Sequence, residues 1–162
     1  MTKERSKRSL GGLHNMNNEM HLQFPAKSIN ESFARLVIIG FIAPLDPSSQ
    51  EMTEIKTIVS EGVTNAIIHG YEDDTEGMIK MSATLCGRRL KVTIQDFGKG
   101  IENIELAKQP LYTTKSQEER SGLGFMIMES FSDHFEVQSS PGVGTTIIFE
   151  KEFLEDVQAL EA

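Results

Sequence analysis

The sequence holds one cysteine, no tryptophan and only two tyrosines in 162 residues. A lone thiol forms no internal bridge, and nothing near Cys86 resembles a metal cluster or a nucleophile dyad, so a disulfide scaffold is excluded. Cys86 falls in a segment that reads as a strand and is expected to be a small apolar core residue. Also absent is any apolar run near the ~18–20 residues that a membrane span needs. Leu10-Gly11-Gly12-Leu13, behind a basic start, makes no hydrophobic region of a signal peptide. A soluble, cytoplasmic protein with no membrane partner is expected.

Positive charge is scarce as well. Lys and Arg number 16 against 24 Asp and Glu, a net charge of −8. Lys3, Arg5, Lys7 and Arg8 are crowded into the first residues, so the remainder is more acidic than the total. Phosphate backbones are bound by clustered Lys and Arg, so no direct nucleic-acid contact is expected of the folded part. Residues 1–17 read as a disordered basic leader or an appended extension, with Met16 a plausible start. Residues 18–150 read as one domain and 151–162 as an acidic tail.

Within the domain, Met20-x-Leu22-x-Phe24 alternates as a half-buried strand. Ser28 to Glu31 has the pattern of a capping box, and the helix it opens sets Phe33, Leu36, Val37, Gly40 and Phe41 on one face, ending by Pro44 and Pro47. Ser48 to Glu51 repeats the cap, and Met52, Ile55, Val59, Gly62, Val63, Ala66 and Ile67 follow the helical period up to Gly70. A hairpin follows, with Ile79, Met81, Ala83 and Leu85 paired through Gly87-Arg88 to Leu90, Val92 and Ile94. Residues 97–122 are poor in large apolar side chains and long for a connection, which suggests a lid or binding loop. A helix over 123–131, with Met126, Ile127 and Phe131 assigned to the core, and a last hairpin around Pro141-Gly142-Val143-Gly144 complete an α+β order. Helices on one face of a mixed or antiparallel sheet are expected.

Four groups of residues point to chemistry. Glu61 and Asn65, four apart, project side by side at the margin of the apolar stripe, one a possible base and the other a neutral oxygen ligand. A solvated polar face is the commoner meaning of such a pair. Asp96 shares the parity of Leu90, Val92 and Ile94, so its carboxylate points inward, and Gly98 and Gly100 behind it allow close approach of a ligand. Gly122-Leu123-Gly124 opens a helix, where free amides favour an anion. Thr145 follows Gly144 at the start of the final strand. Each is weak alone.

Some apparent motifs are set aside. Asp96-Phe97-Gly98 matches the DFG of protein kinases of the eukaryotic type, but the glycine-rich strand, the β3 lysine and the HRD loop are absent. No GxxxxGK[ST] occurs, which closes the P-loop route to a nucleotide. Glu61, Asn65 and His69 lack HExxH spacing, so His69 is expected to be a helix-end residue rather than a zinc ligand.

Taken in order, Glu61-x-x-x-Asn65, Asp96-x-Gly98-x-Gly100, Gly122-x-Gly124 and Gly144-Thr145 resemble the motifs of the GHKL ATPase superfamily. Over about residues 16–150 the chain further resembles the anti-sigma F factor family of spore-forming bacteria. That match is carried by Met20-His21-Leu22-Gln23-Phe24, Asn30-Glu31-Ser32-Phe33-Ala34-Arg35, Ser60 to Tyr71, Gln109 to Lys115 and Glu119 to Gly124. The resemblance implies a Bergerat-type α/β sandwich with a mostly antiparallel sheet and a flexible lid over ATP. It implies that Asp96 accepts from the adenine amino group, that Asn65 coordinates Mg²⁺, and that Gly98, Gly100, Thr114, Lys115, Ser121, Gly122, Leu123, Gly124 and Thr145 belong to the nucleotide site. Glu61 would be the general base. The implied activity is that of a protein-serine kinase which holds a sporulation sigma factor when ATP is bound and phosphorylates an anti-anti-sigma antagonist. Arg35 and Arg120 would meet partners, and the protein would be a homodimer. A nucleotide-gated binding switch without catalysis is the alternative. The family more often has Ala where Gly62 stands, a difference of roughly 1 kcal/mol in helix propensity.

Overall fold

A computed structural model describes residues 17–110 and 123–154. Five strands form one sheet: β1 (Asn17–Pro25), β2 (Met78–Cys86), β3 (Arg89–Asp96), β4 (His134–Ser140) and β5 (Gly144–Glu152). Their order is β1-β2-β3-β5-β4, and every neighbouring pair is antiparallel. The helices are α1 (Ile29–Ile42), α2 (Ser49–Asn65), the short α3 (Ile104–Ala107) and α4 (Gly124–Ser130). A 3-10 turn (Ala43–Leu45) joins α1 to α2, and a π-helical turn (Ala66–Gly70) prolongs α2.

The sheet is apolar on one side only. Phe24, Ile79, Met81, Ala83, Leu85, Leu90, Val92, Ile94, Ile147 and Phe149 alternate inward and meet Ala34, Ile38 and Ile42 of α1, Ile55, Ile58, Val59 and Val63 of α2 and Met128 of α4. The opposite parity carries Lys80, Thr84, Arg89 and Lys91 to solvent. Cys86 belongs to that parity and is exposed, which corrects its assignment to the core. It pairs with Arg89 across the hairpin, on the outer face.

The buried face of α1 also differs from expectation. Phe33 is 47% and Leu36 72% exposed, while Ala34, Ile38 and Ile42 are buried. From Phe33 onward nearly every position of α1 is apolar, so periodicity offers several faces, and packing selects the stripe that starts with the small Ala34. Ser28 forms no capping box. Its backbone is already helical, and the Glu31 carboxylate instead pairs with Arg35 at 2.9 Å. The box at Ser48 is formed, with Glu51 accepting from the Ser48 amide at 2.8 Å and the Ser48 hydroxyl accepting from the Glu51 amide at 3.2 Å. In α4 the buried residue is Met128. Met126 is 42% exposed, and Ile127 and Phe131 are half-buried.

One latch ties the far end of the sheet to the start of α2. Glu51 Oε1 accepts from the Leu154 amide at 3.0 Å. Arg88, in the β2–β3 turn, donates to the carbonyls of Phe153 (3.0 Å), Leu45 (3.2 Å) and Leu154. Phe153 beyond β5 is buried, so the packed structure runs past residue 150. Of the expected lid, residues 101–110 include α3, capped by Asn103 accepting from the Leu106 amide at 2.9 Å. Residues 111–122 lie outside the described residues, as do 1–16 and 155–162.

Candidate functional site

The end of β3, the end of α2 and the start of β5 converge because three glycines there have no side chain. A Cβ on Gly98 would strike the carbonyl of Gly70, one on Gly144 would strike the carbonyl of Asp96, and one on Gly70 would come 2.8 Å from the Asp96 carboxylate. Gly100 adds a positive φ of 73° and lies against Ser140. These approaches pull the backbone in and leave a cavity of about 480 Å³ beside it, a size that suits a small ligand. Asn65, His69, Gly70, Asp96, Lys99, Gly100, Ile101, Gly124 and Thr145 are among its lining residues.

Asp96 is buried at 6% exposure. Its Oδ1 accepts from the amides of Gly98 (2.9 Å) and Thr145 (3.3 Å). Desolvation raises its pKa above the ordinary carboxylate value, and the two amide bonds oppose that rise. Both bonds go to Oδ1, which leaves Oδ2 as an acceptor for a ligand in the cavity. Thr145 is fixed beside it. Ser139 Oγ accepts from the Ile101 amide (2.8 Å), donates to the Gly144 carbonyl (2.9 Å) and lies 2.8 Å from Thr145 Oγ1. Since the single Ser139 proton is used on a carbonyl, Thr145 is the donor of that pair and offers lone pairs to the cavity.

At the other end, Glu61 and Asn65 stand together over Gly124. A Cβ on Gly124 would come 2.9 Å from Glu61 Oε2 and 3.7 Å from Asn65 Oδ1 and Nδ2. The first amides of α4, beginning at Gly124, have no partner within the helix. The site thus has acceptors at the Asp96 end, and at the Asn65 end an amide oxygen and backbone donors that have no partner within the helix. An amino-bearing base and an anion are complementary to those two ends.

The family model for the histidine kinase-like ATPase domain matches residues 24–151. The anti-sigma F factor of Bacillus subtilis (strain 168) is 58% identical over 132 residues, 82% of this chain and 90% of that protein. The one from Bacillus cereus (strain AH187) is 56% identical over 145 residues, 90% of this chain and 99% of the relative. This chain belongs to the anti-sigma F factor family, within the histidine kinase-like ATPases. Solved structures agree on the fold of this family member. The RsbU and RsbW domains of Rv1364c from Mycobacterium tuberculosis superpose with a TM-score of 0.60 at 20% identity, over 84% of this chain and 32% of that one. The catalytic domain of the histidine kinase ThkA gives 0.53 at 19%, over 83% and 96%.

Of the residues singled out in the sequence of this anti-sigma F family member, Asn65, Asp96, Gly100, Gly124 and Thr145 line this cavity. Gly98 supports it from behind, against Gly70, and Glu61 stands at its margin beside Gly124. Leu123 precedes α4 as its N-cap. Arg35 is on α1 and does not line the cavity. Thr114, Lys115, Arg120, Ser121 and Gly122 lie outside the described residues. Ser139 and Lys99 escaped the sequence reading. Ser139 sits in a plain strand pattern, and Lys99 between two glycines has no periodic signal.

Proposed function

We propose that this protein binds ATP in the cavity between α2, β3 and α4, holds a sporulation sigma factor in the ATP-bound state, and transfers the γ-phosphoryl group to a serine of an anti-anti-sigma antagonist. The observation that carries the reading is Asp96, buried, pinned through Oδ1 and open at Oδ2, in one cavity with Asn65 and Gly124. The names of the 56–58% identical relatives supply the sigma-factor role.

Asp96 Oδ2 accepts the amino group of adenine, with Thr145 as a neighbouring acceptor. The amides at the start of α4 meet the phosphates. Among the described residues no three His, Cys, Asp or Glu side chains group as a metal site. The Asn65 amide oxygen is the side-chain ligand that fits Mg²⁺, whose shell phosphates and water complete. Held at Asn65, Mg²⁺ would supply neutralisation of the charge on the phosphates. Glu61 accepts the proton of the attacking serine hydroxyl as its oxygen bonds the γ-phosphorus. The bond from that phosphorus to the β,γ-bridging oxygen breaks, and ADP leaves. Positioning and electrostatics supply most of such a transfer, so a small domain suffices.

Arg35, held by Glu31 at 2.9 Å and by the Ser32 hydroxyl at 3.1 Å, meets a partner protein, and Arg120 is assigned the same role. A homodimer is supported by the edge strand β1, which among the described residues pairs only with β2, and by Ile29, Phe33 and Leu36, exposed on α1 at spacings of one helical turn. The acidic net charge suits protein partners in the cytoplasm better than nucleic acid. Among the described residues no helix is long and apolar enough to cross a membrane.

A nucleotide-gated switch without transfer is the second reading, favoured by the place of Glu61 at the margin of the cavity rather than in its lining. Size-exclusion chromatography of the protein with a sporulation sigma factor tests what the two readings share. A complex in Mg·ATP, lost without nucleotide and lost in Asn65→Ala, is expected. A complex indifferent to nucleotide would refute both.

A further inference from the structure

Three consecutive amides follow Asp96, and each has its own acceptor. Phe97 N–H donates to the Tyr71 hydroxyl at 2.9 Å, Gly98 N–H to Asp96 Oδ1 at 2.9 Å, and Lys99 N–H to the Gly70 carbonyl at 2.9 Å. Two of these acceptors belong to the segment that continues the helix bearing Glu61 and Asn65. Tyr71 caps that segment, its own amide donating to the Ala66 carbonyl at 2.9 Å. Its hydroxyl has one proton, and that proton goes to the Met78 carbonyl at 2.5 Å at the start of β2. The Phe97 amide can only donate, so the phenol bridges two backbone groups, one at the start of β2 and one just past the end of β3. The ring is half-buried and leans on Gly77, where a Cβ would strike it.

The Phe97 side chain is 47% exposed, and its ring faces outward under Lys80, whose Nζ lies 5.1 Å from the ring centroid. The orientation of the Asp96 carboxylate depends on where the Gly98 amide lies, and that amide follows directly on the one Tyr71 holds. We infer that Tyr71 is a positioning residue for base recognition: its hydroxyl fixes the Phe97–Gly98 turn so that Asp96 Oδ2 faces the amino group of the purine. The inference rests on the proposed nucleotide reading of the cavity.

Calorimetric titration with Mg·ATP and with the triphosphate of purine riboside, which lacks the 6-amino group, tests it. The wild type should prefer ATP by about tenfold or more, the worth of one hydrogen bond to a charged acceptor. In Tyr71→Phe that preference should fall below about threefold, through weaker ATP binding with the affinity for the analogue little changed. Gly77→Ala, which crowds the ring and keeps the hydroxyl, should lower the preference in the same direction and serves if Tyr71→Phe does not fold. A merely structural tyrosine would lower stability, or both affinities together, and leave the preference intact. That outcome would overturn the inference while sparing the nucleotide reading. A wild type without any preference would overturn the role of Asp96 first and that of Tyr71 with it.

Discussion

Thr145 stands opposite Asp96 in the β3–β5 ladder, and its amide donates to Asp96 Oδ1 at 3.3 Å, while the other carboxylate oxygen is left to the cavity. The pair makes a buried acceptor whose direction is set by the backbone. Burial makes Asp96 costly to ionise and raises its pKa, and the Thr145 amide offsets part of that rise.

Asp96→Asn preserves an oxygen for the Gly98 and Thr145 amides and turns a donor toward the cavity. Nucleotide binding should weaken by about 100-fold or more, as a charge-assisted bond is lost and two donors face each other. Stability should move the other way. A carboxylate with a raised folded pKa stabilises the native state below that pKa, relative to its ionised form, and the advantage is lost as pH rises through it. The variant should therefore gain on the wild type between acid and neutral pH, read by thermal unfolding across that range.

Gly124→Ala places a methyl group 2.9 Å from Glu61 Oε2. The carboxylate must swing away, so phosphoryl transfer should fall by at least about tenfold. Thermal stability should hold or improve slightly, since alanine favours a helix by ~0.5–1 kcal/mol over glycine. Transfer rates with unfolding temperatures for the same preparation check the separation.

Glu51→Ala removes both a helix cap and the acceptor of the Leu154 amide. A loss of about 1–2 kcal/mol is expected, or a fall of a few degrees in Tm for a domain of this size. Burial raises the Glu51 pKa, but hydrogen bonds from the Ser48 and Leu154 amides and the Ser48 hydroxyl, with the Arg88 charge, outweigh it and hold the pKa below the ordinary value. Its contribution is thus present above the unfolded carboxylate pKa and lost as pH falls through the folded one. Wild type and variant should converge in acid.

Leu36→Glu puts a charge on the exposed stripe of α1 without touching the core, Leu36 being 72% exposed. Light scattering should give two chains for the wild type and one for the variant. A wild type of one chain would remove the dimer from the account.

Much of this was legible in the sequence because its signals were local. The parity that carries Asp96 inward is set by Leu90, Val92 and Ile94 on the same strand, and the i, i+4 spacing of Glu61 and Asn65 needs only a helix. What failed depended on contacts between elements. Cys86 is the exception, since alternation counted from Ile79 already places it outside and only its apolar character points to the core. The all-apolar run of α1 left its buried face undetermined until α2 and the sheet selected Ala34, Ile38 and Ile42. Glu31, free to cap in sequence terms, was taken by Arg35. Gly62 shows the same limit. Helix propensity alone favours alanine there, but a Cβ would come 2.7 Å from Ile94 Cδ1, so that side chain must shift to admit it.

The central claim is that Glu61, beside Asn65 and Gly124, serves as the base in phosphoryl transfer to a protein serine. Intact-mass spectrometry of the protein and a purified anti-anti-sigma partner after incubation with Mg·ATP tests it most directly. One added phosphate on the partner with the wild type, and none with Glu61→Gln although ATP still binds, is the predicted result. Equal transfer by Glu61→Gln would contradict the assignment of the base, and tight ATP binding with no transfer by the wild type would leave a nucleotide-gated switch in its place.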